Sequence, residues 1–149
     1  MGVGVVVEPR VSLTDKSRTD ANFFFSVCAI HIDGTVVHPS CKSLFKVASK
    51  PLGAALKREK EKNTLYLART QANGSRFYPL AMESFGAFGP GARDFIRLLS
   101  HEASMNSIHK LYGLSVTGYI LRSLAVVLQV SNGVICADAS IKARAKKNQ

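Results

Sequence analysis

The sequence has few of the residues that form disulfides or targeting signals. Among its 149 residues there are three cysteines and no tryptophan. Cys28, Cys41 and Cys136 are odd in number and widely spaced, which argues against a disulfide framework or a Cys-x-x-Cys metal site. The first residues have no basic segment before the apolar run, and position 6 lacks the Ser or Thr of a myristoylation signal. We therefore expect an intracellular chain, in the nucleus or the cytoplasm, that is not secreted.

The sequence is also poor in acidic residues, with 10 Asp and Glu against 20 Lys and Arg, which gives a formal net charge of +10. A basic surface attracts polyanions, because each Lys or Arg that meets a phosphate releases condensed counterions. We therefore expect DNA as the partner, with RNA as the alternative, bound mainly through phosphate contacts.

No apolar stretch of the sequence combines the length and the composition of a membrane span. The best candidate, residues 123–137, is uncharged but contains Gln129, Ser131 and Asn132. A helix needs about 20 predominantly apolar residues to cross a bilayer. The sequence therefore predicts no membrane partner, and it leaves the oligomeric state open.

The first half of the chain begins with a strand pattern. Residues 22–32 are dense in aromatic and β-branched side chains, which predicts a buried strand containing Phe24 and Val27. The dipeptide Asp33-Gly34 is typical of a turn, so we expect a second strand over residues 35–38.

A helical pattern follows over residues 51–70, where side chains at offsets of three and four share one face. Asn73-Gly74 marks the end of this helix. We expect it to pack across the sheet through four residues of that face, Leu52, Ala55, Leu56 and Tyr66.

The second half of the chain predicts one more strand and three helices. Residues 76–84 have a strand pattern, and Pro79 suits an edge strand because proline cannot donate to a central ladder. Pro90 can open the next helix. Residues 119–130 predict a further helix, and residues 134–145 a weaker one that leads into a basic tail.

These elements predict the α/β class, with a mixed sheet flanked by helices and a helical C-terminal extension. The composition is 46% apolar and 20% charged, as in a folded domain. The predicted domains are residues 1–105, the α/β domain, and residues 106–149, the helical extension with its basic tail.

Three charged residues can be interpreted either as catalytic groups or as structural ones. Glu59 and Lys62 lie on the apolar stripe of the predicted helix, and Asp20 directly precedes the first predicted strand. In the functional interpretation, Lys62 faces a phosphate or an attacking water and Asp20 binds a divalent metal. In the structural interpretation, Glu59 and Lys62 form an ion pair three residues apart and Asp20 is a turn residue. The residues alone favour the structural interpretation.

Several short blocks, taken in order, resemble the endonuclease end of non-LTR retrotransposon reverse transcriptases. The blocks are residues 8–10, 18–20, 25–27, 51–55, 57–63 with Tyr66, and 77–86. The similarity continues through residues 88–93 and 124–129, so it covers about residues 8–140. Residues 77–93 are its most specific part.

This resemblance implies a restriction-endonuclease-like fold of the PD-(D/E)XK type. In such sites two carboxylates hold Mg²⁺ against a phosphodiester, and a lysine orients or deprotonates the attacking water. The resemblance matches Asp20 to the first, metal-binding acid and Lys62 to the lysine, and Glu59 joins these candidate catalytic residues. The position of the second acid falls on Ser26, whose hydroxyl is a much poorer ligand for Mg²⁺.

The function implied is a retrotransposon-derived endonuclease for metal-dependent DNA nicking, catalytically impaired because Ser26 replaces an acid. We expect Ser26→Asp to restore some metal binding and nicking. The candidate residues for nucleic-acid contacts are Arg18, Lys57, Arg58, Lys60 and Arg76. The alternatives are a non-catalytic basic module that binds nucleic acid and a remnant without a selected function.

Overall fold

The strands form one four-stranded mixed sheet in the order β1-β2-β3-β4. The computed structural model describes residues 4–7, 19–24, 28–105 and 115–147. The strands are β1 (Gly4–Val7), β2 (Ala21–Phe24), β3 (Ala29–Val37) and β4 (Arg76–Glu83). The first two pairings are antiparallel, and β3 pairs with β4 in parallel. The α/β class and the mixed sheet predicted from the sequence are therefore confirmed.

Four helices accompany the described strands. They are α1 (Phe45–Ala48), α2 (Gly53–Ala72), α3 (Pro90–Met105) and α4 (Val116–Lys147). The predicted helix over residues 51–70 is α2, displaced by two residues at each end. It ends where Gly74 adopts a positive φ of 67°, a conformation that glycine accepts without strain. Pro90 opens α3 as predicted.

The two faces of the sheet are covered by different helices. On one face, the ring of Tyr66 from α2 lies 5.3 Å from the ring of Phe77. On the other face, Phe95 from α3 lies 5.4 Å from Phe23 and 5.7 Å from Tyr78. Neighbouring residues of a strand point to opposite faces, which places Phe77 and Tyr78 against different helices.

The reversal between the first two predicted strands was placed wrongly. The prediction ended a strand at residue 32 and put a turn at Asp33-Gly34, whereas both residues lie inside β3. The chain reverses instead between Phe24 and Ala29. A dipeptide typical of turns stays extended here because β3 is paired on both sides, and tertiary pairing outweighs the local preference.

Two burial predictions were also wrong. Phe24 is 45% exposed, because α2 packs on β4 and β3 and does not cover the end of β2. Leu56 is 45% exposed as well, since it follows the fully buried Ala55 and a helix turns about 100° per residue. Val27 lies outside the described residues. Pro79 lies in β4, an edge strand as predicted.

The two C-terminal helices predicted over residues 119–130 and 134–145 are one helix, α4. Gly133 lies between them, and a helix interior tolerates a glycine at a cost of about 1 kcal/mol. The segment Val116–Arg144 is long and apolar enough to cross a membrane by length and composition, and the absence of a membrane partner stays a prediction. The chain forms two compact units, Met1–Phe95 and Ile96–Gln149. The domain boundary after residue 105 stays a prediction.

Candidate active site

Asp20 and Asp33 face each other across the hairpin of β2 and β3. The backbone N–H of Asp20 donates to the carbonyl of Ile32 at 3.0 Å, and Ala21 is the register partner of Ile32. Asp33 follows Ile32 in β3 at the end of the pairing where Asp20 precedes β2. The two carboxyl groups interact with each other through charge and hydrogen bonding.

Gly34 fixes the orientation of the first carboxylate. Its backbone N–H donates to Asp20 Oδ2 at 2.5 Å, a short charge-assisted hydrogen bond. A Cβ at position 34 would lie 3.2 Å from that same oxygen, closer than most such contacts. Glycine therefore permits the close approach between β3 and the Asp20 carboxylate.

Lys62 reaches this pair of acids from α2. Its Nζ donates to Asp33 Oδ2, and both side chains are largely buried, with 13% and 12% of their surfaces exposed. The lysine that the sequence placed on the apolar stripe therefore faces the sheet. Its partner is Asp33, 29 positions away in the sequence. Lys62 therefore does not form the predicted ion pair with Glu59.

The electrostatics of Asp33 result from opposing effects. Burial raises the pKa of Asp33, since it disfavours the ionised form. The ammonium group of Lys62 lowers that pKa through its hydrogen bond and its charge, and the neighbouring Asp20 carboxyl raises it again. Lys62 thus pairs with Asp33 while Asp20 lies beside it, and the three groups carry a net negative charge when both carboxyl groups are ionised.

Polar side chains extend this face of the sheet beside the two acids. The hydroxyl of Thr19 and Nδ1 of His31 form a buried hydrogen bond of 3.1 Å, and burial lowers the pKa of His31. Asn22 is the register partner of His31, so it lies on the same face as Asp20. Asn22 Oδ1 is buried and has no hydrogen-bond partner in the described part of the chain. It is an uncommitted oxygen next to the acid pair.

This donor set fits a hard divalent cation. Mg²⁺ prefers oxygen ligands and is bound in proteins by one or two carboxylates, with waters and substrate oxygens completing its coordination. Asp20 and Asp33 supply the two carboxylates. Within the described ranges, no group of three or more His, Cys, Asp or Glu side chains could hold a metal ion.

Glu59 does not belong to this cluster. Its Oε1 accepts a hydrogen bond from the backbone N–H of Gly91 at 3.0 Å, in the first turn of α3. A Cβ at Gly89 would lie 2.2 Å from the same oxygen, so the preceding loop packs directly on the carboxylate. Burial raises the pKa of Glu59, and hydrogen bonds from Gly91 and Ala92 oppose the rise. The structure thus gives Glu59 a capping role, in place of the catalytic role predicted for it.

A cleft of about 480 Å³ opens beside the acids. Its walls come from the end of β3, the segment that follows it, and one side of α2. The lining residues that carry polar or charged groups include Asp33, Thr35, His38, Arg58, Glu61 and Lys62. Both Asp33 and Lys62 can therefore be reached from a groove large enough for a nucleotide unit.

The residues predicted to contact nucleic acid lie in different parts of the structure. Arg58 lines the cleft one turn before Lys62, where its guanidinium pairs with Glu61 at 2.6 Å. Lys57 donates to the carbonyl of Ser43 at 3.0 Å. Lys60 is exposed two positions before Lys62, about 200° around α2 and so on the far side of the helix. Arg76 is exposed at the start of β4. Arg58 is thus the member of this set that lines the cleft.

The sequence analysis named Asp20 and Lys62 and did not name Asp33, the residue that interacts with both. Arg18 and Ser26 lie outside the described residues, so the replacement of an acid at position 26 stays a prediction. The pattern held one indication of Asp33, which is a carboxylate inside an extended apolar stretch. Placing the reversal between Phe24 and Ala29 would have put Asp33 opposite Asp20.

Comparison of this chain with family models, with curated proteins and with solved structures finds no match. The case for a function therefore depends on the geometry of the acid pair and the lysine. In that geometry Asp33 and the ammonium group of Lys62 pair at the wall of an open cleft, and the carboxyl group of Asp20 interacts with Asp33.

Proposed function

We propose that this chain is a metal-dependent endonuclease that nicks DNA, with Asp20 and Asp33 as metal ligands and Lys62 as the group that orients the attacking water. The observation that carries the proposal is that Asp33 and Lys62 pair at the wall of the cleft while Asp20 interacts with Asp33. The resemblance to retrotransposon endonucleases supports DNA as the substrate and a restriction-endonuclease-like fold as the finer class.

A purely structural role explains only part of this arrangement. An ion pair between Lys62 and Asp33 would satisfy both groups, and an added carboxylate at Asp20 weakens that pair by repelling Asp33. With a cation bound between the two carboxylates, the charge of Asp20 would stabilise the site, whereas without the cation it destabilises it. Asp20 is exposed, so an ion can reach the pair from solvent. A carboxyl group in a cleft with a raised pKa, as Asp33 has, is typical of functional sites.

The roles follow from where each group lies. Gly34 donates to one oxygen of Asp20 and Lys62 donates to one oxygen of Asp33, and the two carboxyl groups also interact with each other. Bound Mg²⁺ would polarise the phosphodiester and lower the pKa of a coordinated water. Lys62 carries further N–H groups, with which it can orient the water or neutralise charge that develops on the phosphate. Arg58 can contact a neighbouring phosphate along the cleft.

Asp33 also changes the expectation of impaired catalysis. The resemblance placed the second acid at Ser26, whereas Asp33 is a carboxylate on the strand next to Asp20 and is in contact with Lys62. In our proposal Asp33 supplies the second ligand. The chain then has a complete set of two acids and one lysine, and the serine at position 26 does not disable it.

The test is nicking of supercoiled plasmid in Mg²⁺ or Mn²⁺ by the unmodified chain and by three variants. We expect Asp20→Asn, Asp33→Asn and Lys62→Met each to lower the nicking rate by at least about 100-fold. Asp138→Asn is the matched control, since this exposed acid on α4 pairs with Lys142. It changes the charge equally and should leave the rate within twofold.

Two outcomes would contradict the proposal. The first is nicking at the unmodified rate by folded Asp33→Asn. The second is a chain that shifts DNA in a salt-dependent manner but never nicks it in either metal. That second result would favour the non-catalytic binding module.

A further inference from the structure

Two aromatic rings lie beside the cleft and have no part in the proposed nuclease chemistry. His38 lines the cleft directly after the end of β3, and its ring lies 5.2 Å from the ring of Phe85 in an edge-to-face arrangement. Nδ1 of His38 accepts a hydrogen bond from the backbone N–H of Ser40 at 3.2 Å, which orients the ring. Phe85 itself is 73% exposed, so most of its surface is open to a ligand.

A tight turn at the end of β4 holds Phe85 in this position. The backbone N–H of Gly86 donates to the carbonyl of Glu83 at 2.8 Å, which closes the turn. The backbone N–H of Ser84 donates to the carbonyl of Val37, also at 2.8 Å, so the turn is bound to the end of β3. The strands β3 and β4 are parallel, and ligands of open α/β sheets bind outside the carboxyl ends of their strands. The turn therefore presents an exposed aromatic ring where a ligand is expected.

The chain that follows the Asp33 position is basic throughout. Residues 34–58 contain four lysines, one arginine and no Asp or Glu. Lys42, Lys46 and Lys50 are exposed, and Cys41 brings this segment to the wall of the cleft. A basic groove with aromatic side chains beside it is the arrangement by which proteins bind single-stranded nucleic acid, because phosphates contact the cations and bases stack on the rings.

We propose that the cleft takes one unpaired nucleotide of single-stranded DNA, whose base stacks on the ring of Phe85 beside His38. The neighbouring phosphates follow the lysines of residues 42–50, because the acids that line the cleft are already paired with cations. This inference rests on the proposed function for the position of the scissile phosphate, and it adds the form of DNA that the site accepts.

An unpaired nucleotide fits these features better than duplex DNA or an acidic peptide does. Bases inside a duplex are stacked on both sides, so the ring of Phe85 can reach the flat face only of a base that has left the stack. The cleft of about 480 Å³ lies within the roughly 300–1,000 Å³ of sites that enclose small ligands, which suits one nucleotide. A peptide of Asp and Glu residues would pair with the lysines and leave Phe85 without a planar partner.

The experiment measures binding of the full chain, in EDTA, to a fluorescently labelled oligonucleotide as a single strand and as a duplex of the same sequence. We expect the single strand to bind at least about tenfold more tightly. Phe85→Ala and Phe85→Leu should each weaken single-strand binding by about tenfold and leave duplex binding within twofold. Phe85→Tyr should keep the preference, because stacking needs an aromatic ring.

Phe24→Ala is the control for the loss of an exposed phenylalanine. Phe24 pairs with Ala29 at the start of β3, the end of that strand away from the cleft, so both affinities should stay within twofold. Equal affinity for the two forms of DNA, or a preference that Phe85→Ala leaves intact, would overturn the inference. So would displacement of the bound strand by polyglutamate as readily as by unlabelled single-stranded DNA. A single-strand preference in a chain that never nicks would contradict the proposed endonuclease alone, whereas nicking without the preference would contradict this inference alone.

Discussion

Lys62 is the residue on which both the stability and the chemistry of the acid pair depend. Its ammonium group and the Asp33 carboxylate are largely shielded from water, and Asp20 adds a second negative charge nearby. Removing one partner of such a pair leaves an uncompensated charge in a poorly solvated place. The same lysine is expected to act on the substrate, so stability and activity need separate measurements.

The first prediction concerns stability. Lys62→Met should lower the free energy of unfolding by about 3 kcal/mol, measured by urea denaturation, because Asp33 is left without its cation. The double variant Asp33→Asn with Lys62→Met should recover most of this loss. Lys60→Met is the control on the exposed side of α2 and should change stability by less than about 0.5 kcal/mol. An additive double variant would mean that the pair does not interact.

The second prediction separates the site from the fold at Gly34. In Gly34→Ala the new Cβ crowds Asp20 Oδ2, which must move by a few tenths of an ångström. We expect metal-dependent nicking to fall about tenfold or more, since catalytic groups tolerate little misplacement. In an extended strand, alanine is more stable than glycine by roughly 0.5–1 kcal/mol. This gain offsets the cost of crowding Asp20, so the free energy of unfolding should change little. Unchanged nicking by Gly34→Ala would show that the position of Asp20 does not matter.

At the scale of elements, Glu59 connects two helices. It belongs to α2, and its carboxylate accepts from Gly91 at the start of α3. A negative group there satisfies free backbone N–H groups and faces the positive end of the helix dipole. A Cβ at Gly89 would clash with the Glu59 carboxylate, so the loop before α3 packs directly on this group.

The third prediction is a pH dependence caused by Glu59. Because the folded pKa of Glu59 is raised, the folded chain holds its proton more tightly than the unfolded chain. The resulting stability is fully present below the ordinary pKa of about 4.3 and is lost as the pH rises through the raised value. Glu59→Gln should remove this part of the slope in unfolding free energy against pH. If the free energy of unfolding depended on pH in the same way in both proteins, the raised pKa of Glu59 would be contradicted.

The same elements show which features the sequence could predict. The ends of α2 and the start of α3 depend on local chemistry, at Asn73-Gly74 and at Pro90, so they were predictable. The hairpin of β2 and β3 depends on pairing with β4, which no local pattern encodes. Asp33 was missed for that reason, since a dipeptide typical of turns was extended by its neighbours.

At the scale of the whole molecule, the net charge of +10 predicts binding to DNA through phosphates. In the absence of metal we expect micromolar affinity for duplex DNA that falls steeply between low and physiological salt. Arg58→Gln should weaken this binding and reduce the slope of log affinity against log salt by about 1, because Arg58 lines the cleft. The control is Lys60→Gln, because Lys60 lies on the far side of α2. Equal effects of the two substitutions would mean that the cleft does not hold the DNA.

The most direct test of the central claim is calorimetric titration of the full chain with Mn²⁺ in the absence of DNA. The claim is that Asp33, and not position 26, completes the acid pair with Asp20. We expect Asp33→Asn to weaken Mn²⁺ binding by at least about 100-fold, more than the loss of an outer-shell partner usually costs. Ser26→Ala should bind like the unmodified chain. Binding that survives Asp33→Asn, or an unmodified chain that binds Mn²⁺ only after Ser26→Asp, would contradict the account.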